Sequence, residues 1–256
     1  MVSLRLKRRV YGAQKDRLLR ELASEIAELT SGLDIRIEHL SCSSRGHVTL
    51  DVTGEDCEFA SNLLYDEYGR VPVMAELTHG QELWGSLVDV CRVGYGLYSD
   101  IGVSTTRPVD VLIPLHTLRE QAQMHTQSLR AIAKALVLVE HLPVNVTIKD
   151  VNLSTEKIEG ALTDSFLRRV NAWTNDDHER LLVFGANKAT LERAIAKSGH
   201  LSDVYQVETL GPYEFSLVCK RSTRASGIVS SIGPMLTGVP IHLFIPRELN
   251  ALREMN

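Results

Sequence analysis

The segment from Gly80 to Leu118 limits the fold of this chain more than any other part of the sequence. Two runs of β-forming residues flank the turn Gly94-Tyr95-Gly96, and a third run follows after a short loop. The second run closes with Asp100-Ile101-Gly102. Three successive strands with these turns are the order in which a small five-stranded OB barrel begins. We therefore predict an OB barrel over residues 78–164.

The remainder of that region supplies the other parts of such a barrel. Residues Leu118 to Glu140 read as an inserted helix, with an apolar face in its second half. The next strand starts at Pro143 and alternates cleanly, so Val144, Val146 and Ile148 should face inward. Lys157 to Leu162 is the last strand. The helix is thus expected between the third and fourth strands of the barrel.

Residues 1–77 are predicted to form a ferredoxin-like unit, with the element order β-α-β-β-α-β. Its expected strands and helices are Leu4 to Val10, Asp16 to Leu29, Ile35 to Leu40, His47 to Thr53, Glu55 to Tyr68 and Val71 to Glu76. The helices follow a 3.6-residue apolar period, and the strands alternate.

Residues 165–256 are predicted to hold a linker and a second unit of the same order. Phe166 to Glu179 reads as the linker, with Trp173 buried. The expected elements are Leu181 to Ala186, a helix capped by Asn187 that runs to Lys197, the hairpin Val204 to Leu210 with Tyr213 to Cys219, a helix from Arg224 to Leu236, and Ile241 to Ile245. The fold class is therefore α+β, and the two similar units indicate an internal duplication.

Composition excludes several classes of protein. The chain of 256 residues is 44% hydrophobic and 23% charged, which is typical of a soluble globular protein. Its four cysteines include no Cys-x-x-Cys pair, and no apolar run approaches a membrane span. The amino end lacks a signal-peptide core. We expect a cytoplasmic protein that does not bind membranes and uses neither disulfides nor a metal.

The barrel carries the first candidate binding face. If Leu97, Ile101 and Val103 fill the barrel, Tyr98 points outward near Tyr95, and both rings could stack on bases. Arg92, Lys149 and Lys157 are the cations predicted to flank this face. In the alternative interpretation, Tyr95 fills the turn and Tyr98 packs against the inserted helix. The net charge of −4 means that any RNA affinity must come from local patches.

The residues Leu83 to Leu118 resemble the OB-type RNA-binding module first described in the bacterial ribosomal protein S-one. Tyr95 and Tyr98 match its two aromatic positions, and Asp100-Ile101-Gly102 matches its Asp-x-Gly. The third-strand signature departs from the family, because Pro114 and His116 stand where that family often has His and Ser. The resemblance covers about a third of the chain and implies single-stranded RNA binding on the barrel.

The first strand carries a second candidate site. Arg5, Lys7 and Arg9 alternate with apolar residues, so they should share one face of the sheet. If the helices cover the apolar face, the cations lie on the open face and could contact RNA phosphates. The alternative is a solvated edge strand protected by its charge.

A third candidate is an anion site where a strand passes into a helix. Lys220, Arg221 and Arg224 surround the expected helix start, where free N–H groups and the helix dipole attract anions. The alternative is simple capping by Thr223. This segment also resembles the strand-to-helix turn of ACT domains, which sense amino acids, but it lacks their Asp-Pro-Gly.

No catalytic motif is present in the sequence. The histidines form no metal-binding pair, and neither Gly-x-Ser-x-Gly nor a phosphate-binding Gly-Lys-Ser/Thr loop occurs. We expect a protein that is not an enzyme and has no cofactor.

The whole arrangement resembles an uncharacterised archaeal protein family without an assigned activity, which implies an archaeal cytoplasm. The first functional hypothesis is an RNA-binding accessory factor of the ribosome or translation machinery, with ribosomal RNA and ribosomal proteins as partners. The alternatives are a ligand-sensing, ACT-like regulator that takes a small molecule, and a docking scaffold on RNA polymerase.

Overall fold

The computed structural model of the protein describes residues 1–103, 105 and 107–254. It contains a closed five-stranded barrel and two further antiparallel sheets, each combined with helices. The α+β architecture predicted from the sequence is confirmed. Among the described residues, no helix is long and apolar enough to cross a membrane.

The first sheet has the strand order β1-β3-β2, and all of its pairs are antiparallel. Its elements are β1 (Val2–Arg9), α1 (Lys15–Leu29), β2 (Arg36–Cys42), β3 (His47–Thr53) and α2 (Cys57–Tyr68). Leu4 and Leu6 of β1 pack in one core with Leu18 and Leu22 of α1. The helices therefore cover the apolar face of this sheet, as the alternation predicted.

The fourth strand predicted for this unit, Val71 to Glu76, is not formed as a strand. The chain makes a single bridge from Arg70 to Leu6 of β1, and Met74–Glu76 is a short 3-10 helix. Pro72 explains the early end of pairing, because proline has no N–H to donate to a ladder. The bridge still lies on the β1 edge of the sheet, so the spatial order of a ferredoxin-like unit is kept.

The barrel closes in the order β4-β5-β6-β8-β7. Its strands are β4 (Glu82–Val88), β5 (Gly96–Asp100), β6 (Val111–Pro114), β7 (Pro143–Asn152) and β8 (Lys157–Leu162). The β6–β8 pair is parallel, whereas the other four pairs are antiparallel. The interior includes Val144, Val146 and Ile148, which are fully buried as predicted.

The insertion between β6 and β7 is two short helices instead of the one predicted over Leu118 to Glu140. These are α3 (Leu115–Ala122) and α4 (Leu129–Ala135). The break occurs where Gln123 adopts a left-handed φ of 56°, after which Ser128 accepts a hydrogen bond from the N–H of Ala131. The run between the helices is polar apart from the buried Met124, so it lacks the apolar stripe that would continue the helix through it.

The last sheet has the order β10-β11-β9-β12 and completes a β-α-β-β-α-β unit. Its elements are β9 (Arg180–Phe184), α6 (Lys188–Lys197), β10 (Val204–Gly211), β11 (Glu214–Cys219), α7 (Ala225–Ile232), the 3-10 helix Gly233–Met235, and β12 (Ile241–Phe244). Asn187 caps α6 by accepting a hydrogen bond from the N–H of Thr190 at 2.7 Å. The order of elements in this unit was predicted correctly, although the helix expected from Arg224 to Leu236 is α7 followed by the 3-10 helix.

Two helices in this part of the chain were not predicted. Most of the expected linker is α5 (Asp164–Asn175), which begins where Thr163 accepts a hydrogen bond from the N–H of Phe166. Trp173 on α5 is buried, as expected. The final helix is α8 (Pro246–Glu254), and Leu249 joins the same core. The segment after the barrel is thus a packed part of the structure.

Candidate nucleic-acid interface

The two barrel tyrosines lie together on the outside of the barrel. The Tyr95 and Tyr98 hydroxyls are 2.7 Å apart, and their rings meet edge to face with centroids 6.4 Å apart. Tyr95 is 58% exposed, while Leu97 and Ile101 are buried inside the barrel. Burial, together with the hydrogen bond that its hydroxyl shares with Tyr95, raises the pKa of Tyr98 to about 12. The phenol of Tyr98 is therefore neutral at neutral pH, and the two rings form a partly exposed aromatic surface.

Gly96, which lies between the two tyrosines, allows β5 to pair closely with β6. A Cβ at position 96 would lie 2.6 Å from the carbonyl oxygen of Ile113 on β6. A side chain here would force the two strands apart. The close pairing of β5 with β6 therefore requires glycine at position 96, between the two tyrosines.

A groove of about 550 Å³ runs along the outer face of the barrel beside the tyrosines. Its walls come from β5, β6, β8 and the segments leading into β6 and β8. The residues that line it are Tyr95, Tyr98, Arg107, Pro108, Val109, Asp110, Leu112, Glu156, Lys157, Ile158 and Glu159. This is the face on which OB folds bind oligonucleotides, formed by the second and third strands and the adjoining loops.

The charges in this groove are mixed. Lys157 lines it as predicted, and Arg107, which the sequence reasoning missed, lies 3.7 Å from Glu156. Asp110 is held by Arg45 of the first unit at 2.9 Å, while burial raises the pKa of its carboxyl. Because two basic and three acidic side chains line the groove, affinity for a nucleic acid would depend mainly on the aromatic rings.

The other two cations assigned to the barrel face lie away from the groove. Arg92 sits in the β4–β5 loop and forms a surface ion pair with Asp89 at 3.1 Å. Lys149 is exposed on β7, a strand that does not line the groove. Of the three predicted flanking cations, Lys157 alone stands among the lining residues.

The cations of the first strand do not form the open face that the sequence predicted. Lys7 lies over the ring of Trp84 on the barrel, and burial lowers the pKa of its ammonium group. Arg9 is only 5% exposed. The side chain of Arg5 is half-buried. The prediction fails for Lys7 and Arg9 because the face opposite the helices packs against the barrel instead of facing solvent.

At that contact lies a buried polar cluster of Arg9, His47 and Asp100. Both carboxylate oxygens of Asp100 meet Nε2 of His47, at 2.9 and 3.0 Å, and the Arg9 Nε lies 3.8 Å away. Burial would raise the pKa of Asp100, but the hydrogen bond and charge of His47 and the charge of Arg9 outweigh it and lower that pKa. Asp100, which the sequence analysis noted only as part of the Asp-Ile-Gly motif at the end of the second barrel strand, joins the first sheet to the barrel.

The predicted anion site at Lys220, Arg221 and Arg224 is filled by the protein itself. All three side chains are exposed. The carboxylate of Glu179 accepts a hydrogen bond from the N–H of Ala225, the first residue of α7, and another from Arg224, each at 2.7 Å. Thr223 is not the cap, since its hydroxyl donates to Asp203 instead. An acidic side chain from elsewhere in the chain therefore neutralises this helix start, which local sequence could not reveal.

Comparison with protein-family models matches nearly the whole chain. Residues 1–73 match the model described as DUF2110 N-terminal domain, residues 77–174 the DUF2110 central domain, and residues 178–243 the DUF2110 C-terminal domain. None of these descriptions states an activity. No curated protein matches the chain.

Proposed function

For this chain, which belongs to the DUF2110 family, we propose that the outer face of the barrel binds single-stranded RNA. The observation that carries the proposal is the pair Tyr95 and Tyr98 at a groove on the β5-β6-β8 face of a closed OB-type barrel. Exposed rings on such a face suit unpaired bases, which stack on aromatic side chains.

The mixed charge of the groove sets the expected mode of binding. Lys157 forms no ion pair among the residues that the structure describes, so it is free to meet a phosphate, whereas Arg107 lies near Glu156. Few phosphate contacts imply a weak dependence on salt. The protein should therefore bind unpaired bases by stacking, with modest sequence preference.

We also propose a more specific role for this RNA binding, in translation. The resemblance of the barrel motif to the RNA-binding module of ribosomal protein S-one supports an accessory factor that contacts ribosomal RNA and ribosomal proteins in an archaeal cytoplasm. The ligand-sensing alternative has less support, because Glu179 already occupies the helix start on which an anionic ligand would depend.

The proposal is tested by fluorescence anisotropy with a labelled single-stranded RNA of about twelve nucleotides, a length within the range bound by single OB folds. The double variant Tyr95→Ala/Tyr98→Ala should weaken binding by at least about tenfold, since each stacked base contributes about 1–3 kcal/mol. Tyr205→Ala is the matched control, because Tyr205 is 64% exposed but lies on β10, away from the barrel.

Two results would contradict the proposal. Equal affinity of the double variant and the wild type would remove the barrel face as the binding site, and the absence of any saturable RNA binding would remove the activity. Sedimentation with ribosomal subunits at low salt tests the translation part separately. If the protein binds RNA but stays out of the ribosomal fractions, only the role in translation is lost.

A further inference from the structure

A second cleft lies where the first sheet meets the barrel, on the other side of the Arg45–Asp110 ion pair from the barrel groove. Its volume is about 440 Å³. Its walls come from the β1–α1 turn, the β2–β3 hairpin, the β4–β5 loop and the segment before β7. We call it the junction cleft and define it by Arg9, Lys15, Arg45, Asp89, Arg92, Glu140 and His141.

The lining of the junction cleft contains more basic than acidic side chains, although two of its arginines, Arg9 and Arg45, pair with Asp100 and Asp110, which are not among the lining residues. Four of its lining side chains are basic and two, Asp89 and Glu140, are acidic. Both carboxylates already have partners within the protein. Asp89 pairs with Arg92 at 3.1 Å, and the carboxylate of Glu140 accepts hydrogen bonds from the N–H groups of Asp89 and Val90. Lys15 forms no ion pair with any residue that the structure describes, so the cleft holds a cation without an internal partner.

Arg9 supplies a second unsatisfied group. Its Nε donates to the carbonyl oxygen of Arg45 at 3.1 Å and lies 3.8 Å from Asp100, but its Nη1 has no hydrogen-bond partner among the described residues. A buried, charged donor left unpaired costs free energy. An anion bound in the cleft beside Arg9 would supply the missing acceptor.

His141, on the barrel side of the cleft, supplies another buried polar atom without a partner. Its Nδ1 is also buried without a partner in the described part of the chain, and its ring lies on that of Tyr11 with centroids 4.1 Å apart. Burial, and then the positive charges of Arg9 and His242, lower the pKa of His141 to about 4. The imidazole is thus neutral at neutral pH, mainly because it is buried, with the charge of Arg9 as a smaller cause.

The start of α1 also borders the cleft, since Gly12 and Lys15 are among its lining residues. α1 begins at Lys15, and its N-cap residue Gln14 gives no side-chain hydrogen bond to the first turn. The positive end of the helix dipole therefore adds to the attraction for an anion, although the carboxylate of Asp16 in the first turn partly offsets it. Asp89 and His141, which border the cleft, hold left-handed φ angles of 51° and 67°, a conformation that aspartate and histidine adopt more readily than most residues.

We propose that the junction cleft binds a phosphate group, held by Lys15 and Arg9 at the start of α1. The phosphate can belong to the backbone of an RNA strand that continues from the barrel groove past the Arg45–Asp110 pair, or to a free nucleotide. The chemistry is the same in both cases. The inference does not depend on RNA binding by the tyrosines.

The test compares the full-length wild type with Lys15→Gln and with Arg20→Gln, which removes an exposed cation from the same helix outside the cleft. The probes are inorganic phosphate, uridine 5′-monophosphate and the single-stranded RNA used above. Binding is followed by calorimetry and by the NMR signals of the His141 imidazole, whose pKa should rise when an anion neutralises the nearby cations. Lys15→Gln should weaken binding by about tenfold, the effect of losing a charged hydrogen bond, and Arg20→Gln by less than about twofold.

The outcomes separate the sources of the phosphate. Loss confined to phosphate and the mononucleotide supports a free nucleotide as ligand, whereas loss that includes RNA supports a bound RNA backbone. If none of the three probes binds in a manner that depends on Lys15 and shifts His141, the inference is overturned. Tyr95→Ala/Tyr98→Ala should leave phosphate binding unchanged, so failure of the barrel proposal and failure of this one give different results.

Discussion

Replacing Asp100 by asparagine should destabilise the protein strongly although the two side chains have nearly the same shape. The amide oxygen of the new side chain could still accept the hydrogen bond that Asp100 now accepts from the N–H of Gly102 at 2.8 Å. What the substitution removes is the negative charge between the buried side chains of Arg9 and His47. Two unit charges about 4 Å apart interact by about 4 kcal/mol at an effective dielectric constant of about 20. Breaking a buried pair costs about 3–5 kcal/mol in other proteins. We therefore expect a loss of about 3–5 kcal/mol in the free energy of unfolding.

The assay is urea unfolding followed by circular dichroism, with Asp89→Asn as the control. Asp89 also pairs with an arginine, at 3.1 Å, but its side chain is 44% exposed and that of Arg92 is 75% exposed. Such surface pairs contribute less than about 1 kcal/mol. The left-handed backbone of Asp89 accommodates asparagine without new strain. The two variants thus differ in the burial of the charge they remove.

The effect of Asp100→Asn should depend on pH with a definite sign. The pKa of Asp100 is lowered in the folded protein by His47 and Arg9 against the opposing effect of burial. An acid of this kind stabilises the fold above its unfolded pKa, and the stabilisation disappears as the pH falls through the folded pKa. The gap between wild type and variant should therefore be widest near neutral pH and close in acid. A loss below about 1 kcal/mol, or one equal to that of Asp89→Asn, would refute the role of the buried charge.

Two further substitutions test the packing around the barrel. Tyr11→Phe removes the hydroxyl that donates to Glu214 at 2.5 Å and should cost about 1–3 kcal/mol in urea unfolding. Burial raises the pKa of Glu214 above its unfolded value and the Tyr11 hydrogen bond opposes that rise, so the loss should grow as the pH rises through the folded pKa of Glu214; a loss that falls with rising pH would contradict this. Gly96→Ala should cost about 1–3 kcal/mol because its Cβ would press on the Ile113 carbonyl, whereas Gly94→Ala, which meets nothing within 4 Å, should change little; equal melting temperatures would exclude the clash.

The strands and most helices could be predicted because their evidence is local. The alternation of Val144, Val146 and Ile148 predicted one inward face, and all three are buried. Asn187 predicted a helix start and forms the expected cap. The prediction of the fourth strand failed because it overlooked Pro72, which ends the pairing with β1 after one bridge.

The candidate sites were less predictable, because they depend on which surfaces meet. Tyr95 and Tyr98 could be placed together from their spacing across a turn, and the structure brings their hydroxyls to 2.7 Å. The junction cleft could not be foreseen. Lys15, Arg45 and His141 come from distant parts of the chain, and no local pattern connects them.

The sequence was sufficient to specify a barrel flanked by two ferredoxin-like units, since apolar period and turn residues act over a few positions. Packing between distant segments determined which cations are buried and which acidic groups they pair with. Arg9 follows the outward phase of a strand, yet it is buried because the barrel covers that face of the sheet. Arg224 lies at a helix start that could bind an anion, but the carboxylate of Glu179, from a distant segment, already accepts hydrogen bonds there. Alternation tells which side of a strand a residue takes, but only the assembled modules determine whether that side meets water, another chain segment or a ligand.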